Sequence, residues 1–331
     1  MTVLLLWTSR VLAGGAALTA VLWATGALAY DLPWPSVRLP AACGFFLGTL
    51  FFVGRAAGFW SAILRATAGF AGVLAWWLTL QPSNERPWQP DVDRTAWGQI
   101  DGDSVTLHNV RRCDYRSETD YTAHWETRVV RLSQVTGIDL AINYWGSPWM
   151  AHPIISFQFA DAPPLCFSIE TRKELGEKYS AIGGLYRQYE LVYVVAEESD
   201  VLGVRTRHRQ GEDVYLYRTT ATPEAARAVL LEYLESLNRL HKTPRWYHAL
   251  TTNCTTSIRT QRAPDKRAPW DWRLLVNGKG DELAYERGTL DRSLPFPELK
   301  RRSLINERAR AAREDAAFSD AIRQAWVRDK G

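Results

Sequence analysis

Residues 152–170, HPIISFQFADAPPLCFSIE, decide the fold class. Two β-rich runs here are joined by a turn that contains two prolines, in the order Ile154–Phe159, Ala160–Pro164 and Leu165–Ile169. The stretch therefore predicts a β-hairpin, and folding it brings the end of the second strand beside His152. Three polar side chains become candidates for a contact with that imidazole: Ser168, Glu170 and Arg172.

Further strands and helices surround this hairpin. Strand-like runs recur along the chain at Ser104–Val110, Arg128–Leu132, Gly137–Trp145, Leu191–Ala196 and Val214–Arg218. Thr222-Pro223-Glu224 is a strong helix start, with an N-cap residue, a proline at the first helical position and an acid in the first turn. Pro244 ends that helix, and an Arg-rich helical stretch follows from about Pro297. We expect an α+β fold, an antiparallel sheet with helices packed on it.

Residues 1–82 differ from the rest of the chain, because Asp31 is their only acidic residue. Three apolar runs predict membrane helices: Val11–Tyr30, Leu39–Gly54 and Ala56–Leu80, the last containing Arg65. A cleavable signal peptide competes for the first run, and two spans compete with three. The arginines beside the runs place the N-terminus in the cytoplasm, so three spans deliver everything after about Pro82 to the outside.

The charge balance excludes some partners and favours others. A net charge of +4 suits a protein that works beside anionic lipid headgroups, and without a clustered basic face it gives no indication of nucleic-acid binding. The polar, Pro-rich segment Pro82–Asp91 predicts a linker after the last span. We therefore divide the chain into an anchor over 1–82, a domain over 83–263 and a helical tail over 264–331.

The number and spacing of the cysteines limit which redox and metal chemistry the chain can support. There are four: Cys43, Cys113, Cys166 and Cys254. No pair of Cys or His residues has metal-ligand spacing, so we expect neither a metal nor another cofactor. Cys113 and Cys166 either form a disulfide or are two unrelated thiols.

Cys254 differs from the other cysteines because three helix-capping residues precede it, Thr251, Thr252 and Asn253. A thiol in the first helical turn meets the positive end of the helix dipole and free backbone N–H groups, which favour the thiolate and can bind an oxyanion. Among six histidines, His152 is the best base, because it stands directly before a rigid strand. Glu170 is the candidate third member that fixes the tautomer of the imidazole, and Asn253 a candidate oxyanion donor. The alternatives are a buried structural cysteine and a structural histidine.

Several blocks combine aromatic and charged residues and predict a cleft or a headgroup site. The candidates for substrate binding are Tyr144, Arg172, Tyr179 and Arg187. Ordinary buried salt bridges account for the presence of Arg172 and Arg187 nearly as well as substrate binding does.

Long blocks of the chain, among them NYWGSPWMAHPIISFQF and YHALTTNCTTSI, resemble the Lnb family of bacterial membrane proteins over about residues 88–263. The resemblance implies a periplasmic domain similar to permuted papain-like folds of the NlpC and lecithin:retinol acyltransferase kind. It also implies that His152 and Cys254 form the catalytic pair. Members of the family include a lipoprotein N-acyltransferase.

Three functional hypotheses follow. The first is an inner-membrane enzyme whose periplasmic domain moves an acyl chain from a phospholipid, through a thioester on Cys254, to the N-terminus of a diacylated lipoprotein. The second keeps the same site but acts as a periplasmic cysteine amidase or peptidase. In the third, the domain is a non-catalytic, membrane-tethered binding module.

Overall fold

A computed structural model describes residues 2–261, 267–274, 277–313 and 317–327. These residues form two compact units. One unit contains residues 2–83 together with 179–190 and 246–249, and the other contains the remaining described residues. The boundaries predicted at residues 82 and 263 stay a prediction.

The first unit contains three apolar helices, α1 (Thr2–Asp31), α2 (Pro35–Gly54) and α3 (Phe59–Thr79). Each is long and apolar enough to cross a membrane, which confirms the predicted helical anchor. The helices α1 and α2 both begin earlier than their hydrophobic runs predicted, and α2 starts with Pro35 in its first turn.

Arg65, the charged residue of the third apolar run, lies within α3. Its guanidinium donates to the carbonyl oxygen of Phe52 at 2.7 Å. Phe52 is in the last turn of α2, where carbonyl groups have no partner within the helix. Arg65 therefore supplies a hydrogen-bond donor to a carbonyl group at the end of α2, where the apolar sequence offers none.

The second unit is built on an eight-stranded sheet. Its strands are β1 (Trp97–Asp101), β2 (Ser104–Tyr115), β3 (Tyr121–Arg131), β4 (Val135–Trp145), β5 (Ala151–Phe159), β6 (Leu165–Arg172), β7 (Glu190–Glu197) and β8 (Glu212–Arg218). The order is β1-β2-β7-β6-β5-β4-β8, with β3 also paired to β2. All pairs with a recorded register are antiparallel except a short parallel contact between β2 and β7. The predicted α+β class with an antiparallel sheet is confirmed.

The hairpin predicted from residues 152–170 forms as β5 and β6. Its register pairs Ser156 with Cys166 and Ile154 with Ser168, so the next outward position on the same face pairs His152 with Glu170. Side chains alternate between the two faces of a strand, and these pairs therefore share one face. The strand β1 was missed, because its polar sequence WGQID lacks an apolar alternation.

The described helices of the second unit are α4 (Glu198–Gly203), α5 (Pro223–Lys242), α6 (Cys254–Thr260), α7 (Gly280–Glu286), α8 (Phe296–Ser303), α9 (Asn306–Ala311) and α10 (Phe318–Val327). Helix α5 begins at the predicted cap, where Thr222 accepts from the backbone N–H of Ala225. A π-helical turn, Val204–His208, continues α4 and had no signal in the sequence.

The C-terminal helices pack into the core of the sheet. Ile305, Ala309, Phe318 and Ile322 are buried in one cluster with side chains from β4, β5, β7 and β8. Arg323 of α10 donates to Asp139 of β4 at 2.8 Å and to Glu198 of α4 at 2.5 Å. Both carboxylates are buried, so the end of the chain supplies the counter-charge for two acids in the core.

Candidate functional site

Three elements of the second unit bring the predicted catalytic side chains together. His152 comes from β5, Glu170 from β6, and Cys254 from the first turn of α6. Cys254 is 4% exposed and His152 is 7% exposed. Cys254 lies close enough to His152 to raise the pKa of the imidazole, and Nε2 of His152 lies 3.2 Å from Oε1 of Glu170. The thiol, the imidazole and the carboxylate are therefore contiguous and largely shielded from water.

The local sequence fixes where α6 begins. Asn253 accepts from the backbone N–H of Thr256 at 2.9 Å, and Thr256 accepts from the backbone N–H of Asn253 at 2.9 Å, which completes a capping box. Cys254 is consequently the first residue of the helix, as the sequence predicted. The side-chain oxygen of Asn253 is used by the cap, so any oxyanion contact from Asn253 falls to its amide nitrogen.

The imidazole of His152 is held from the hairpin side. Its Nε2 lies 2.8 Å from the hydroxyl of Ser168 and 3.2 Å from Oε1 of Glu170. Ser168 in turn donates to the same carboxylate oxygen at 2.6 Å. Ser168 and Glu170, two of the three candidates that the hairpin offered, therefore both lie beside the imidazole, with Ser168 as a bridge.

Arg205 is a member of this cluster that the sequence analysis missed. It lies in the π-helical turn, is 4% exposed, and donates from Nη2 to Oε1 of Glu170 at 2.6 Å. Its Nη1 donates to the carbonyl oxygen of Val201 at 2.7 Å, which orients the guanidinium. The arginine fixes the position and charge of the carboxylate behind His152.

The electrostatics of the cluster favour a charged pair. Burial lowers the pKa of His152, but the negative charges of Glu170 and Cys254, with hydrogen bonds to both, raise it to about 9. Burial raises the pKa of Glu170, yet the positive charges of His152 and Arg205 hold it well below its usual range. At neutral pH the imidazole is therefore protonated and the carboxylate ionised.

Asn277 is a second missed residue. Its amide Nδ2 donates to Sγ of Cys254 at 3.5 Å, and its Oδ1 accepts from the hydroxyl of Thr255 at 2.8 Å. Asn277 opens a short 3₁₀ turn that ends at Lys279 and lies 23 residues after the cysteine, in a stretch without a regular pattern. Only the three-dimensional structure brings this amide to the sulfur.

A cavity of about 670 Å³ lies next to this segment. It is lined by aromatic and charged side chains that include Tyr144, Tyr215, Asp281, Phe296 and Lys300. Tyr144, a predicted binding residue, donates to the carbonyl oxygen of Gly278 at 3.0 Å and accepts from Lys300 at 3.0 Å. Tyr144 therefore contacts the residue that follows Asn277, and Asn277 in turn contacts Cys254.

The other predicted binding residues have contacts of their own. Arg172 is buried and donates to the carbonyl oxygens of Val92 and Asp93, and its role in substrate binding stays a prediction. Arg187 and Tyr179 belong to the first unit. Arg187 donates to the carbonyl oxygen of Trp77 at the end of α3. Tyr179 is exposed on one side and stacks on Tyr189.

The remaining cysteines and histidines lie in other environments. Cys113 on β2 and Cys166 on β6 are free thiols, and β7 separates their strands. Two strand spacings of about 4.8 Å exceed the Cα separation that a disulfide allows. His108 and His241 are half-buried and stack on Trp97. Among the described residues, no cluster of three His, Cys, Asp or Glu side chains could hold a metal ion.

Comparison with known proteins adds one finding. Residues 121–278 match the family model described as the Lnb N-terminal periplasmic domain, and this stretch contains His152, Glu170, Cys254 and Asn277. The match and the three apolar helices indicate a membrane-anchored protein with a periplasmic domain. No curated protein and no solved structure matched the chain. The likeness to permuted papain-like folds therefore stays a prediction.

Proposed function

We propose, for a chain that belongs to the Lnb family through residues 121–278, that Cys254 is the nucleophile of an acyltransferase at the outer face of the bacterial inner membrane. The donor is a phospholipid, and the acceptor is the α-amino group of a diacylated lipoprotein. The observation that carries the proposal is the grouping of Cys254, His152 and Glu170 in a largely buried site, with 3.2 Å between the imidazole and the carboxylate. The link of the family to lipoprotein biogenesis supports the choice of substrates.

The first stage forms a thioester. His152 holds the proton of Cys254, and the thiolate attacks the ester carbonyl carbon of the phospholipid. As the S–C bond forms and the ester C–O bond breaks, the imidazolium gives its proton to the leaving alkoxide. A lysophospholipid departs, and the acyl chain remains on Cys254. The backbone N–H at the start of α6 lies beside the sulfur and can hold the oxyanion.

The second stage forms an amide. The neutral α-amino group of the lipoprotein attacks the thioester carbon, an N–C bond forms, and the S–C bond breaks. His152 takes the proton that the nitrogen loses, which restores the thiolate–imidazolium pair for the next cycle. Glu170 stabilises the imidazolium in both stages, and Ser168 and Arg205 position that carboxylate.

The anchor gives the reaction its location. Helices α1, α2 and α3 hold the domain at the membrane, where both lipid substrates are concentrated. The cavity beside Tyr144 is the candidate site for a part of one substrate, since its lining combines aromatic faces with two lysines and buried Asp281.

The test uses the full chain in vesicles of a phospholipid with one defined acyl chain. We expect the intact mass of the wild type to rise by one acyl group, and hydroxylamine to remove that increment. Adding a diacylated lipopeptide should discharge the thioester and yield the triacylated product. In Cys254→Ala the acyl group and the product should both be absent.

The outcomes separate the three hypotheses. Acylation of the lipopeptide by Cys254→Ala at the wild-type rate would rule out a role for the thiol. A wild type that forms no acyl adduct, yet hydrolyses amide bonds in a thiol-dependent way, would identify an amidase or peptidase. Retention of every measured activity in Cys254→Ala would leave only the binding module.

A further inference from the structure

The environment of the sulfur contains a side-chain donor that the proposed triad does not use. Asn277 donates from Nδ2 to Sγ of Cys254 at 3.5 Å. The oxygen and nitrogen ends of an amide group have nearly the same size, so its hydrogen-bond partners decide which end faces Cys254. The bond from Thr255 to Oδ1 and the contact of Nδ2 with Sγ agree on one orientation, in which the N–H end of Asn277 faces Cys254. The same N–H group therefore lies next to the atom to which an attacked carbonyl carbon would bond.

Two hydrogen bonds and one close approach hold Asn277 in this position. The hydroxyl of Thr255 donates to Oδ1 of Asn277 at 2.8 Å, which leaves Nδ2 directed at the sulfur. The backbone N–H of the next residue, Gly278, donates to the carbonyl oxygen of Trp149 at 3.1 Å. A Cβ on Gly278 would lie 2.2 Å from the carbonyl oxygen of Pro148, so only glycine permits this contact.

These contacts tie Asn277 to two parts of the site. Trp149 lies in the turn between β4 and β5, three residues before His152, and Thr255 follows Cys254. Tyr144 adds a hydrogen bond to the carbonyl oxygen of Gly278 at 3.0 Å. The amide of Asn277 is therefore held both by the turn before β5, the strand that carries the base, and by α6, the helix that carries the nucleophile, as a preorganised donor requires.

We propose that Asn277 is the side-chain donor that binds the oxyanion when Cys254 is acylated, and that Thr255 positions it. This inference rests on the proposed function of Cys254 as a nucleophile, but not on the identity of the lipid. When the S–C bond forms, the ester carbonyl oxygen gains the negative charge that the sulfur loses. The N–H of Asn277 then transfers its hydrogen bond from the sulfur to that oxygen, one bond away from the new S–C bond.

The test compares two reactions of the same thiol. Acylation by a p-nitrophenyl ester passes through an oxyanion, whereas alkylation by iodoacetamide needs the thiolate but forms no oxyanion. We expect Asn277→Ala in the full chain to slow acylation of Cys254 about 100-fold, the usual effect of removing one such donor. Alkylation should change less than about threefold, because the displacement occurs at a saturated carbon. Intact mass measures both rates.

Two further variants keep the inference testable if Asn277→Ala folds poorly. Asn277→Asp has the same shape but replaces the donor with a carboxylate, and it should lose at least as much acylation. Thr255→Val keeps the shape of the helix side chain and removes the hydroxyl, and it should slow acylation about tenfold because the amide can rotate. Near-ultraviolet circular dichroism checks the fold of each variant.

Two results would overturn the inference. One is an equal loss of acylation and alkylation in Asn277→Asp, which would make the residue a structural or thiolate-stabilising group. The other is an unchanged acylation rate in folded Asn277→Ala. A wild type that accepts acyl groups from the p-nitrophenyl ester but never from phospholipid would instead overturn the proposed lipid donor and leave the role of Asn277 standing.

Discussion

Glu170 connects the proposed base to the rest of the domain. One of its oxygens lies within 3.2 Å of His152, accepts from Ser168 at 2.6 Å, and accepts from Arg205 at 2.6 Å. The carboxylate therefore stays ionised and stabilises the imidazolium, which raises the pKa of His152 despite its burial. The consequence is a base that remains protonated in mildly alkaline solution, where an ordinary histidine is neutral.

This pKa gives a testable pH dependence for acyl transfer. The leaving alkoxide of a glycerol ester needs a proton from His152, and the pKa of His152 is raised to about 9 by Glu170 and Cys254 against the effect of burial. Above about pH 9 the imidazolium disappears, so we expect acylation by phospholipid to fall about tenfold per pH unit. Stopped reactions analysed by intact mass measure this rate.

The matched control is a p-nitrophenyl ester, whose leaving group departs without a proton. Its acylation rate should not fall between pH 8 and 10, since this ester does not depend on the proton of His152. A parallel decline for both esters would contradict a role of His152 as the acid in this step. Cys254→Ala supplies the background hydrolysis of each ester.

At the scale of elements, the capping box places the nucleophile. Asn253→Ala removes the side-chain acceptor for the N–H of Thr256, so we expect the free energy of unfolding to fall by about 1 kcal/mol. Asn253→Ser retains a capping oxygen and should stay within about 0.5 kcal/mol of the wild type. Urea unfolding of the full chain in detergent, followed by Trp fluorescence, measures both changes.

The same serine variant tests the prediction that Asn253 binds the oxyanion, because serine keeps the cap without an amide N–H. If Asn253 is that donor, Asn253→Ser should lose about 100-fold in the rate of acylation. An acylation rate close to that of the wild type would leave Asn277 as the side-chain donor. Equal stability losses in the alanine and serine variants would show that the cap is not what holds the start of α6.

Local patterns predicted the elements that carry the proposed pair. The hairpin of β5 and β6 follows from two alternating runs around a Pro-rich turn, and the starts of α5 and α6 follow from capping residues. Each of these signals lies within a few residues of the structure that it predicts. The position of His152 beside Glu170 then required only the register of one hairpin.

Contacts between distant segments were not predictable in this way. Arg205 reaches Glu170 from a π-helical turn 35 residues later, and Asn277 reaches Cys254 from an irregular stretch. Neither has a sequence pattern, because its role depends on how separate elements pack rather than on its neighbours. The contacts of Arg172 were equally unpredictable, since its carbonyl partners belong to the segment before β1.

At the scale of the whole molecule, the C-terminal helix completes the sheet domain. Arg323 bridges Asp139 and Glu198, whose side chains are almost fully buried. Arg323→Met leaves two buried acids without this counter-charge, so we expect the free energy of unfolding to fall by about 3 kcal/mol or more. Denaturant unfolding of the full chain measures the loss.

Arg218 provides the control for that variant. It also lies near Asp139, with 3.7 Å between Nε and Oδ1, but more than half of its side chain is exposed. Arg218→Met should therefore change the free energy of unfolding by less than about 0.5 kcal/mol. Similar losses in the two variants would mean that proximity to Asp139, rather than the buried bridge from α10, determines the contribution.

The bridge from Arg323 also sets an order of events during export. A polypeptide threaded through a translocation channel from its N-terminal side presents Asp139 and Glu198 long before residue 323 emerges. Until then, the two acids must remain hydrated, and the strand and helix that carry them cannot close against each other. The domain should therefore stay incompletely folded and accessible to chaperones until residue 323 has crossed the membrane.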